Sequence, residues 1–200
     1  MRKLYYREQA LESIARKVLC EFDPALYYGA PTAVPIEAII EAHGISLEYQ
    51  YLRKNGRILG KTIFDNGLEA VYDMENREYV LFPVEAGTIL IDASLCMEEA
   101  GTGRLRFTCA HELAHWILHK KLYVGTGESA AMTLAVQEDD MEIQANLLGS
   151  AILMPIAQVK RGFYQLRAGR DSQTLVSDMA DLFEVSKQAM RIRLENHNLL

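Results

Sequence analysis

The chain has 200 residues, half of them hydrophobic and 24% charged, a composition and length that fit one soluble globular domain, or one with a small appendage. Twenty-seven acidic against 21 basic side chains give a net charge of −6, which argues against a nucleic-acid or anionic-membrane surface spread over the whole molecule. Cys20, Cys96 and Cys109 are odd in number, widely spaced and lack a CxxC pair, so they read as reduced thiols of a cytoplasmic protein rather than as a disulfide framework.

In chain order, Met1-Arg2-Lys3 leads into no apolar signal-peptide core, and no apolar run approaches the roughly 18 residues of a membrane span. Ala10, Leu11, Ile14, Ala15, Val18 and Leu19 recur at helical spacing and predict an amphipathic helix over 7–20. Pro35 opens and Gly44 closes a second helix, the favoured arrangement of those two residues. From Ile45 to Asp92 the periodicity changes to short runs of strand formers, 45–51, 61–64, 68–72, 79–82 and 87–92. Asn55-Gly56, Asn66-Gly67 and Asn76-Arg77 separate them, which predicts a small, mainly antiparallel sheet. Tyr27, Tyr28, Tyr49 and Tyr51 read as core or sheet-face residues. Helices are expected over 104–120, 137–153, 156–168, 173–183 and 187–196, with a mobile loop at 123–129. Charge divides near Pro155, with net −8 before and including it and net +2 after it. The division suggests one domain over 1–155 and a C-terminal helical module over 156–200.

His111-Glu112-Leu113-Ala114-His115 carries the chemistry. Residues four apart share a helix face with Cβ atoms about 5–6 Å apart, so both imidazoles can reach one zinc ion. Glu112, about 100° round the helix, reaches a water beside the metal rather than the metal, and can accept its proton and pass it to a leaving amine. Leu105, Cys109, Leu113, Trp116 and Ile117 form an apolar stripe opposite the histidines, as in a buried helix whose ligands face a cleft. A catalytic zinc needs a third protein ligand. His119 continues the i+4 series but has drifted about 80° from His111, and reads as a helix-end histidine near the last carbonyls. Glu142, in Glu142-Ile143-Gln144-Ala145-Asn146, is the better candidate, with Asn146 one turn on to hold a ligand histidine in place. Glu138 lies one turn before Glu142 on the same face and is the competitor, although the run Glu138-Asp139-Asp140 suits the charge preference of a helix N-terminus.

Arg106-Phe107-Thr108-Cys109-Ala110-His111-Glu112-Leu113-Ala114-His115-Trp116-Ile117-Leu118-His119 resembles the active-site helix of the ImmA/IrrE family of metallo-endopeptidases, RFTxAHExxHxxLH. Glu142 to Pro155 resembles its second signature, ExxANxFAxxLLMP, with Leu148 and Gly149 in place of Phe and Ala. The resemblance implies an α+β, zincin-like fold with His111, His115 and Glu142 as zinc ligands and Glu112 as general acid/base. It also implies a cytoplasmic helix-turn-helix repressor as protein substrate. In zinc peptidases of that architecture the strand before the active-site helix binds extended substrate, a role that would fall to 87–92. An exposed strand edge offers unpaired N–H and C=O groups for this, whereas a fully paired strand does not.

Residues 179–194 resemble a helix-turn-helix, with Ala180 at the close contact, Val185 in the core, Ser186 as N-cap and Glu184 where such turns usually place Gly. Lys187, Arg191 and Arg193 are of the right type to meet phosphates, but the small net charge of the segment favours packing or partner binding over DNA reading. The expected activity is therefore zinc-dependent peptide-bond hydrolysis. The alternative is a non-proteolytic regulator that binds DNA or a repressor through its C-terminal helices. Tyr123 follows the active-site helix and is of a type that stabilises an oxyanion, but its spacing assigns it no role.

Overall fold

A computed structural model describes residues 6–54, 57–97, 101–123 and 138–200, without the side chain of Glu138. Helix α1 (Glu8–Phe22) buries Leu11, Ala15, Val18 and Leu19, one stripe of its amphipathic pattern. A single-turn helix follows, α2 (Ala25–Tyr28), which the propensities of that segment do not signal. It leaves Tyr28 exposed rather than in a core or on a sheet face. Pro35 precedes α3 (Ile36–Ala42), and Gly44 follows in the left-handed conformation, φ +69°, that favours glycine just past a helix.

Strands β1 (Ser46–Gln50), β2 (Gly60–Ile63) and β5 (Thr88–Asp92) form one sheet in the order β1-β5-β2; β3 (Gly67–Asp73) and β4 (Glu78–Val84) form a separate hairpin. The single sheet expected from the sequence is thus two. β5 pairs parallel with β1 and antiparallel with β2, so it is the central strand. Its run Ile89-Leu90-Ile91 is wholly buried because both faces are covered. Ile89 and Ile91 enter the main core, while Leu90 meets Leu52, Ile63, Val71 and Val84 beneath the hairpin. Residues 87–92 therefore offer no free edge to a substrate. Among the described residues, the outer strands of this sheet, β1 and β2, each keep one edge that no other strand pairs.

A short 3₁₀ turn (Ala93–Cys96) leads towards α4 (Thr102–Tyr123), which carries the His-Glu motif. α5 (Glu138–Leu153), α6 (Ile156–Leu166), α7 (Ser172–Phe183) and α8 (Lys187–Asn196) complete the chain. The expected loop over 123–129 lies outside the described residues beyond Tyr123, which ends α4. α4 and α5 cross closely at Gly149, where a Cβ would lie 3.1 Å from the main-chain N of His111. One apolar cluster runs from Leu11 on α1 through α3, β5, α4 and α5 to Phe183 and Leu194 on α7 and α8. Glu184, between α7 and α8, adopts the left-handed conformation at φ 52°. Arg106 on α4 supports this turn: Nε donates to the Glu184 carbonyl at 3.1 Å, and Nη1 lies 3.3 Å from its carboxylate. Ser186 caps α8 by accepting from the Ala189 N–H.

Candidate metal centre

α4 is buried on most of its surface. Cys109, Ala110, Leu113, Ala114 and Leu118 enter the core, which leaves His111 and His115 one turn apart on the face towards an open cleft of about 670 Å³. The Nε2 atoms of His111 and His115 lie 3.0 Å apart. Glu142, on α5, brings Oε2 to 3.2 Å from the first and Oε1 to 3.1 Å from the second. These three side chains form one of two groups of potential metal-binding side chains among the described residues. In the other, Glu8, Glu12 and His197, Glu12 is already paired with Arg193, whose Nη1 lies 2.6 Å from its Oε1.

The donor set fits a zinc ion. Ligand atoms at about 2.0–2.1 Å from a tetrahedral centre stand roughly 3.3 Å apart, close to the separations here. His111 Nδ1 donates to Asn146 Oδ1 at 3.0 Å, which leaves the lone pair of the neutral ring on Nε2. That lone pair faces Glu142 carboxylate oxygen and Nε2 of His115, and when the His115 proton sits on Nδ1 all of these are acceptors, whose convergence calls for a cation between them. Burial, followed by the neighbouring His111, lowers the pKa of His115 to about 4, so His115 stays neutral and able to ligate at physiological pH.

Glu112 points away from this trio towards β2. It is 7% exposed, and burial pushes its carboxyl up to about 7, opposed by a hydrogen bond from the Thr62 hydroxyl. Thr62 Oγ1 lies 2.7 Å from Glu112 Oε2 and 2.9 Å from the Glu112 carbonyl. Gly60, two residues back on the same face of β2, leaves room for the carboxylate: a Cβ there would lie 2.6 Å from Glu112 Oε1. Leu59 and Ile63 turn their carbonyls to β5, accepting from the amides of Asp92 and Gly87. By the alternation of an antiparallel edge strand, the N–H and C=O of Gly60 and Thr62 face outward along the cleft. Phe64 continues that wall. Its ring stacks on Tyr123 at 4.1 Å between centroids and lies nearly parallel to Trp116 at 5.9 Å.

The structure therefore brings His111, His115, Glu112, Glu142 and Asn146 to one cleft. It also adds residues that local sequence reasoning passes over. Thr62 and Gly60 sit in a strand about fifty residues before Glu112, and nothing local marks them. His119, expected as a helix-end histidine near the last carbonyls, is 1% exposed, with Nδ1 3.1 Å from Nδ1 of His115. Arg193 is removed from the candidate phosphate contacts, because its guanidinium is buried, donating from Nε to the Met154 carbonyl at 3.0 Å. Lys187 and Arg191 remain exposed.

The sequence model of a peptidase family, described as the IrrE N-terminal-like domain, matches residues 78–195. The chain belongs to that family. The matched span contains α4 and α5 and so both halves of the candidate metal centre. No curated protein matches the chain. A solved structure of a Mycobacterium tuberculosis transcriptional regulator is similar at a TM-score of 0.56 and 15% identity, over 93% of this chain and 46% of that one. At that identity the likeness is one of fold, and this chain spans about half the regulator's length. The α+β architecture, with small sheets and several helices, is that of a zincin-like domain of this family.

Proposed function

We propose that the protein is a zinc-dependent endopeptidase acting on a cytoplasmic helix-turn-helix repressor, with His111, His115 and Glu142 holding the metal, Asn146 orienting His111 and Glu112 moving the proton. The observation that carries this reading is the division of labour in the cleft. Three ligand atoms converge, while the remaining carboxylate, Glu112, is held apart from them by Thr62 in a pocket too tight for any residue but Gly60. A structural zinc site is normally closed by four ligands and has no use for such a group.

Zinc bound there supplies Lewis acidity towards a water and a peptide carbonyl. The protein's own residues do the rest. Glu112, with its pKa raised into the neutral range, accepts a proton at one step and returns it to the departing amine at the next. Thr62 fixes which carboxylate oxygen faces the cleft. The outward amides and carbonyls of Gly60 and Thr62 pair with an extended peptide. This takes the role that the family resemblance suggests for 87–92, and it restricts cleavage to a loop or interdomain linker of the repressor, since helical backbone has no groups to spare for the pairing. Repressor as substrate and action in the cytoplasm rest on the family resemblance. The structure adds only that no helix among the described residues is long and apolar enough to cross a membrane.

The test is metal analysis of protein purified without chelator, together with a cleavage assay on a purified helix-turn-helix repressor encoded beside the gene. About one zinc per chain and chelator-sensitive cleavage are expected. A preparation active without metal would sink the mechanism, and regulation that persists in cells carrying Glu112→Gln would favour the non-proteolytic alternative.

A further inference from the structure

His115 faces partners on both sides of its ring. Nε2 points at His111 and Glu142, and Nδ1 lies 3.1 Å from Nδ1 of His119, one turn further along α4. We propose that His119 is the positioning residue of His115: it accepts the Nδ1–H of that imidazole and thereby holds the ring and its tautomer ready for metal, as Asn146 does for His111. The proposal rests on the metal site proposed above.

Two Nδ1 atoms at this distance share one proton. If the proton sits on His119, neutral His115 carries its own on Nε2, donates it to Glu142 and has no lone pair for a metal. If it sits on His115, the lone pair lies on Nε2 and points into the ligand trio, and His119 carries its proton on Nε2. Metal binding selects the second arrangement. The surroundings of His119 show that this contact is what its polarity serves. The side chain is buried, and its Nε2 has no hydrogen-bond partner among the described residues. An apolar residue would fill the place without that penalty. The usual partner of a liganding histidine is a carboxylate, a carbonyl or a water. A neutral imidazole does the same work without adding negative charge to a cleft that already holds Glu112 and Glu142.

The experiment is zinc titration against a chromophoric chelator, on the full chain, for wild type, His119→Leu and His119→Asn. Each metal-free protein is also followed through thermal unfolding. His119→Leu fills the buried site but accepts no proton, and is expected to lose roughly 10–100-fold in zinc affinity with metal-free stability unchanged or raised. In His119→Asn the amide oxygen falls near the place of Nδ1 and is expected to recover most of the affinity. Undiminished affinity in His119→Leu, or equal losses in the two variants, overturns the proposal. Should His119→Leu fail to fold, long-range ¹H–¹⁵N spectra of the zinc-loaded wild type decide. Protons on His115 Nδ1 and His119 Nε2 support the assignment, and a proton on His119 Nδ1 overturns it. A wild-type chain that takes up no zinc overturns the metal site itself, whereas one that binds zinc indifferently to His119 overturns only this inference.

Discussion

Glu112 is held in a compromise between solvation and reach. Desolvation raises its carboxyl from 4.5 to about 7, and the Thr62 hydroxyl pulls it partly back. A carboxyl whose folded pKa exceeds its unfolded value supports the fold fully below about pH 4.5 and loses that support as pH rises to about 7. Glu112→Gln, which keeps the shape and drops the charge, should therefore make the metal-free protein more stable than wild type at pH 8, by about 1–3 kcal/mol, with the gap closing below pH 4. Urea unfolding in chelator at the two pH values measures it. The same variant should keep zinc and lose hydrolysis, because an amide accepts no proton from water. Equal stability of the two proteins at pH 8 would show that the buried carboxylate is better solvated than its surroundings indicate. The proposed ligand set makes a second prediction. Glu142→Ala should weaken zinc binding by orders of magnitude, and Asn146→Ala by roughly 10–100-fold, since the latter frees the His111 ring without removing a ligand. Chelator competition ranks the two, and the opposite order would reassign the third ligand.

At the level of elements, the site is one helix seen from two sides. α4 turns its histidines to α5 and its glutamate to β2, and β2 meets that glutamate with alternate residues, Gly60 and Thr62, because successive strand residues face opposite sides. Gly60→Ala should therefore damage catalysis and spare the metal. The added methyl would lie 2.6 Å from Glu112 Oε1 and 2.8 Å from Thr108 Cγ2, so the carboxylate must move, while none of its three nearest atoms belongs to a proposed ligand. A fall of at least about 100-fold in turnover is expected, from the displacement of a proton-transfer group, with zinc affinity within about threefold of wild type. Parallel loss of zinc would mean that β2 braces the histidines as well. The helices other than the single turn α2, with Pro35, Gly44 and Pro155 as their punctuation, are legible in the sequence, as are the five strands and the His-Glu motif, because periodicity and caps are local. Strand order is not local. Nothing within Thr88–Asp92 says which partners lie on either side, although the burial of Ile89, Leu90 and Ile91 accords with cover on both faces. Thr62 and His119 escape for the same reason, since their roles exist only once β2 lies over α4 and the interior closes round the helix.

Across the whole molecule, the basic side chains of the C-terminal helices are divided between surface and interior. Lys187 and Arg191 are exposed, while Arg193 is spent inside. With a net charge of −6 and two exposed cations on α8, the intact protein should bind DNA weakly at physiological salt. Lys187→Ala with Arg191→Ala should then leave that weak affinity unchanged in a titration, and tight, salt-sensitive binding lost in the double variant would contradict this. Arg193 instead ties the two ends of the chain together. Its Nη1 lies 2.6 Å from Glu12 on α1, and its Nε donates to the Met154 carbonyl between α5 and α6. Arg193→Ala strands a largely buried carboxylate and a carbonyl at once, and should destabilise the protein by about 3–5 kcal/mol. Arg193→Met with Glu12→Leu, which replaces both charges by packing, should recover much of that loss. Because Phe183, Met190 and Leu194 share one apolar cluster with Leu11 and Leu113, denaturant should unfold wild type and both variants in a single transition, followed alike by Trp116 fluorescence and helical circular dichroism. Two separated transitions, with only the helical signal moving in the first, would show that residues 156–200 fold as an independent module and that Arg193 holds a docked part rather than the common core.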